Sequence, residues 1–103
     1  MTKAELKRRL VPGTKLTLVN CMMGPCNKHR TVVKVMSTDV QMLTPEGTHS
    51  YMTLNSYERV EATENGFKVI LKAEPAVPGQ PARDERLACE YQWGHMYNHV
   101  GKV

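Results

Sequence analysis

Between Lys15 and Leu71 polar and apolar side chains alternate in short runs, and a turn signal closes each run. Successive side chains of a strand point to opposite faces, so a period of two marks strands with one buried side. Lys15-Leu16-Thr17-Leu18-Val19 is the first such run, and Arg30–Met36, rich in β-branched residues, is the clearest. Ser37-Thr38-Asp39 turns the chain into Val40–Leu43, and Pro45-Glu46-Gly47 turns it into His49–Leu54. Asn55–Glu58 reads as one helical turn before Arg59–Ala62. Glu64-Asn65-Gly66 then makes a hairpin into Phe67–Leu71.

The flanks differ. Thr2-Lys3-Ala4-Glu5 has capping-box spacing, good helix formers follow, and Pro12-Gly13 ends the run, which predicts a helix over 2–11. Leu6 and Leu10, four apart, share a face, and Lys3, Lys7, Arg8 and Arg9 cover the remainder. A helix this short needs docking to persist. Residues 20–28 are dense in turn formers and read as a long loop. Residues 74–84 hold three of the six prolines and read as an extended loop. Residues 85–93 alternate again and can return as a strand beside 67–72. Residues 94–103 read as a mobile tail. The expected fold is mainly β: one domain over 1–103, with a short N-terminal helix, a small barrel over 14–72 and a C-terminal strand extension. The long first loop, two tight hairpins and a helical turn resemble SH3-like barrels, and an Sm-like arrangement is similar.

A chain of 103 residues can bury a core without metal or disulfide staples. No apolar run reaches the ~18 residues of a membrane span, and MTKAELKRRL is too charged for a secretory signal, so a cytoplasmic location is expected. Three cysteines are too few and odd in number for a disulfide framework. The net charge of +4 is uneven: residues 1–50 carry +5 and residues 51–103 carry −1. A basic half suits an acidic partner, whether nucleic acid or protein, although a modest excess charge also simply keeps a small protein dissolved.

No phosphate loop, HExxH or GxSxG occurs, and the chain is read as a non-enzyme without a cofactor. Cys21, Cys26 and His29, with Cys89, His95 and His99 near the other end, are of the type zinc prefers, but their spacing departs from the usual pattern. Lys28 and Arg30 beside Cys26 could lower its thiol pKa. Glu58, Glu61 and Glu64 read as a solvated edge. The basic side chains Lys28, His29 and Arg30, with Arg8 and Arg9 from the helix and Tyr51 as a stacking ring, form the candidate partner surface. Adjacent Met22 and Met23 supply an adaptable apolar contact, or a lid on the barrel end.

The segments GPCNKHRTVVKV, TPEGTHSYMTL and ENGFKVI resemble small proteins encoded by bacteriophages and other mobile elements. That resemblance implies the interior of a bacterial host cell and an accessory role, often the blocking of a host enzyme or a nucleic-acid-targeting defence system. The expected partner is a host protein or nucleoprotein complex. Direct nucleic-acid binding, a small structural zinc protein and a homodimer formed through a strand edge stand as alternatives.

Overall fold

The computed structural model describes residues 1–95 of the chain. One helix, α1 (Lys3–Arg9), precedes seven strands. These are β1 (Lys15–Cys21), β2 (Gly24–Val35), β3 (Asp39–Leu43), β4 (His49–Thr53), β5 (Glu58–Ala62), β6 (Gly66–Leu71) and β7 (Arg86–Trp93). All pairings are antiparallel, in one sheet of order β4-β3-β2-β1-β7-β6-β5.

The mainly β expectation holds, but the sheet is not closed into a barrel, and residues 15–71 do not form it alone. The expected extension 85–93 is a central strand: β7 pairs with β1 on one side and β6 on the other. β4 and β5 are the two sheet edges, joined directly by residues 54–57. Side chains from both, Met52 and Val60, nevertheless reach one core with Leu16, Val32, Val40, Met42, Phe67, Val69 and Tyr91. The sheet therefore curls, as twisted sheets do, and α1 fills its concave side. Leu6 and Leu10 are fully buried. Lys3 Nζ donates to the Asn55 carbonyl at 2.8 Å, and Lys7 Nζ donates to the Ser37 carbonyl at 2.6 Å, which tethers the helix to two connections of the sheet. The predicted capping box is present, with Thr2 Oγ1 accepting from the Glu5 N–H and Glu5 Oε1 accepting from the Thr2 N–H.

Two predicted loops are more ordered than their composition suggests. Residues 20–28 belong to a hairpin, not a long loop: Asn20 faces Pro25, Cys21 faces Gly24, and Met22-Met23 is the turn. Gly24, at φ 118°, supplies the backbone conformation that lets the ladder restart after the turn. β3 pairs β2 only over Thr31–Val35, so one side of β2 is free from Gly24 to Arg30 and Pro25 is tolerated there. The proline-rich stretch folds into a narrow ribbon through bridges Glu74–Arg83 and Val77–Gln80, turning at Pro78-Gly79. Residues 72–85 are all exposed. Arg59 forks onto Glu85 through two 2.8 Å bonds, and Glu74 meets Arg86 at 3.3 Å, which fixes the ribbon at its base.

Candidate functional site

The free half of β2 positions the predicted cations. Alternation puts Lys28 and Arg30 on the core-side face with Val32, and His29 and Thr31 on the outer face. Arg30 lies opposite Leu16, which lies opposite Trp93, so one row crosses β2, β1 and β7. Arg9 reaches down from α1 and sets its guanidinium 4.2 Å from the centre of the Trp93 ring. Two strand spacings, about 10 Å, separate Trp93 from Arg30 along that row. Arg9 and Arg30 thus lie on the same face of the sheet, at opposite ends of that row. Arg30 Nη1 donates to the His29 carbonyl at 2.8 Å, and its buried Nε has no hydrogen-bond partner among the described residues.

On the outer face, His29 stacks on His95, with ring centres 4.5 Å apart and planes within 1°. Residues after β7 cross β1 to reach this point. The Gly94 N–H donates to the Lys15 carbonyl at 2.7 Å, and Thr17 Oγ1 donates to the Gly94 carbonyl at 2.8 Å. His95 Nε2 then lies 2.9 Å from the Arg30 carbonyl. A carbonyl only accepts, so Nε2 carries the proton and Nδ1 of a neutral ring remains an acceptor.

The β3–β4 turn overhangs this strip and encloses a groove. One lobe, of about 410 Å³, is lined by Asn27, Lys28, His29, Arg30, Pro45 and Glu46. The other, of about 320 Å³, is lined by His29, Thr31, Leu43, Thr44, Pro45 and His95. His29 and Pro45 belong to both, so the lobes adjoin. Sequence reading found Lys28, His29 and Arg30. It missed the wall of Leu43, Thr44, Pro45 and Glu46, because only the β2–β3 register brings that turn over the strip. A larger cleft, of about 650 Å³, sits apart at the base of the proline-rich ribbon, between Tyr57 and Arg86.

The other predicted contacts are dispersed. Tyr51 is on β4, 55% exposed, and its hydroxyl accepts from Gln41 Nε2 at 3.2 Å. Met22 and Met23 project from the hairpin tip, 66% and 96% exposed, and so do not form a lid. Five residues along an extended strand put Met23 about 17 Å from Lys28.

The cysteines lie away from the histidines. Cys21 and Cys89 are direct register partners, and Cys26 lies beside Cys21. His95 is engaged with His29 and Arg30, and His99 lies outside the described residues. Among the described residues no group of three or more His, Cys, Asp or Glu side chains is arranged to hold a metal ion. Nor do Lys28 and Arg30 activate Cys26: burial and the Cys21 thiol raise its pKa, outweighing both cations. Burial, reinforced by Glu58, pushes the Cys89 thiol up to about 12. Glu58 is not part of a solvated edge either: it is 7% exposed and accepts from the Asn55 N–H at 2.9 Å.

A test of the thiol environment follows from linkage. Folding holds a Cys89 proton that an ordinary thiol releases near pH 9.0, so stability present below that pH is lost as pH rises toward 12. Burial raises the Tyr91 hydroxyl pKa as well, in the same direction. The urea midpoint is expected to fall between pH 8 and about pH 10.5. A Cys89→Ala variant should show a shallower fall, and an equal slope would remove Cys89 as the cause.

Comparison with protein-family models, with curated proteins and with solved structures finds no match. Among the described residues, no helix is long and apolar enough to cross a membrane.

Proposed function

We propose that this chain is a non-catalytic binding domain that docks on the nucleic acid of a host nucleic-acid-processing or defence complex. The resemblance of its segments to phage-encoded proteins supports the bacterial host and an inhibitory role. The observation that carries the reading is the distribution of pairing among charges. The ion pairs among the described residues join Arg59, Arg83 and Arg86 to Glu61, Glu74 and Glu85, all around β5 and the ribbon. Arg8, Arg9, Lys28 and Arg30 take part in none of them. Lys28 and Arg30 line a groove that also holds a stacked pair of imidazoles, and Arg9 lies over Trp93 on the core-side face.

Unpaired cations attract phosphates by releasing the counterions condensed on them, and flat rings stack on unpaired bases. Single strands suit the groove better than duplex, because its rings need splayed bases. A contact to protein in the same complex is a second reading, favoured by exposed Met22 and Met23 at the hairpin tip.

Fluorescence anisotropy with single-stranded DNA and RNA oligonucleotides tests the reading. Affinity is expected to fall with salt, with a log–log slope of about −0.7 per phosphate contacted. Lys28→Glu combined with Arg8→Glu, both exposed positions, should weaken binding by about a hundredfold, since a charge-assisted contact contributes about 1.5 kcal/mol or more at each site. The melting temperature should be unchanged. No binding at low salt, or unchanged affinity in the double variant, would sink the proposal.

A further inference from the structure

The two edges of the sheet are not equivalent. β5 is guarded: Arg59, locked to Glu85, and Glu61 line it, and the Glu58 N–H is already used by the Asn55 carbonyl. β4 reads His49-Ser50-Tyr51-Met52-Thr53, with no Lys, Arg, Asp, Glu or Pro. Its register with β3 runs from Asp39–Thr53 to Leu43–His49 without a bulge. Edge strands in monomeric proteins are usually blunted by charge, proline or a bulge. Among the described residues, β4 has none of these.

The hydrogen bonds fix which groups this edge offers. Just outside the strands, the Thr44 N–H donates to the Thr48 carbonyl, and the Leu54 N–H donates to the Thr38 carbonyl. Hydrogen-bonded and non-hydrogen-bonded pairs alternate along an antiparallel ladder. Counting inward from either end gives one answer: Ser50 and Met52 bond to β3, while His49, Tyr51 and Thr53 turn their N–H and C=O groups outward. All three of these side chains are exposed, Tyr51 by 55%.

We infer that β4 pairs with β4 of a second copy of this chain, antiparallel about a two-fold axis through Tyr51. The second copy is favoured by self-complementarity. An axis at Tyr51 sets Tyr51 against its own symmetry mate and His49 against Thr53, so each outward N–H meets an outward C=O. Six backbone hydrogen bonds form, none is left over, and no like charges meet. The tyrosines pair on the outer face, where aromatic cross-strand pairs stabilise a sheet, and Leu43, 39% exposed and beside His49, lies next to them. Pairing this way closes under its own symmetry and stops at two copies. Strands of five residues bury less than the ~1,200 Å² of a standard interface, so the dimer is weak and reversible.

Sedimentation velocity of the full chain, from micromolar to about 1 mM, tests this. The expected result is a mass rising from 11.6 kDa to twice that value. Tyr51→Lys places two ammonium groups against each other at the axis and should abolish the dimer. Tyr51→Pro removes an N–H that points away from β3, so it leaves that ladder intact and should do the same. Unchanged thermal melts confirm that both variants remain folded, and Tyr57→Lys, exposed and outside β4, should dimerise like the parent chain. A parent chain that stays monomeric to about 1 mM overturns the inference. So does a dimer that survives Tyr51→Lys, or assembly that continues past two copies. None of these outcomes bears on oligonucleotide binding through β2.

Discussion

Gly66→Ala is expected to cost about 3 kcal/mol or more, the upper part of the range for forcing extra atoms into packed structure. Gly66 opens β6 and faces Gln92 of β7. A Cβ at this position would collide with the Tyr91 carbonyl oxygen and lie 2.7 Å from Gln92 Cα and 2.8 Å from the Tyr91 carbonyl carbon. Every atom it meets is backbone, so no side chain can swing aside. β7 cannot retreat either, because β1 holds its other edge. Gly66 is not among the residues of positive φ, so the cost is collision and not backbone strain. A domain of this size is stable by about 5–15 kcal/mol in total, and the variant forfeits a large part of that.

Gly79→Ala is the matched control. It sits at φ 83° in the exposed ribbon, with nothing within 4 Å of a Cβ, and should cost only the roughly 1–2 kcal/mol of a left-handed alanine. Urea midpoints of the two variants decide the matter. A Gly66→Ala shift no larger than that of Gly79→Ala would show that the β6–β7 approach is looser than these distances.

How much of this molecule was legible in its sequence depends on how local each signal is. The capping box at Thr2–Glu5, the strands through Arg30–Met36 and Phe67–Leu71, and the turns at Pro45 and Asn65 are written within a few residues and are all present, although neither Asn65 nor Gly66 takes the positive φ expected of an Asn-Gly turn. Which strands adjoin is not local. Nothing near Arg86–Trp93 announces that it will separate β1 from β6, and so a closed barrel was expected where an open, curled sheet exists. The hairpin at Met22-Met23 was hidden by composition: Gly24, Pro25 and Asn27 are turn formers, yet each is tolerated because β2 is free on one side there, and Asn20, on β1, is held by its Nδ2 donating to Glu90 Oε1. For the site, Lys28, His29 and Arg30 stood out as a cluster of charge. Their neighbours Pro45 and His95 arrive through register and through a crossing over β1, and no periodicity encodes either.

Leu6→Ala carries the other large expected effect, because it links the core to the basic face. The side chain is fully buried, and truncating a buried leucine costs roughly 2–5 kcal/mol, depending on how far the cavity can collapse. Collapse is restricted here, since Lys3 and Lys7 pin the helix to Asn55 and Ser37 on either side of it. A seven-residue helix cannot persist undocked, as its nucleation alone is unfavourable. Loosening it releases Arg9 from Trp93 and displaces Arg8 along with the helix. Two readouts should therefore fall together: the urea midpoint, and affinity for single-stranded oligonucleotides measured where the variant is still folded. Ala4→Ser, on the exposed side of the same helix, should leave both nearly unchanged. If Leu6→Ala destabilises the fold but binds oligonucleotides as tightly as the parent chain, α1 serves only to close the core, and the binding face belongs to β2 alone.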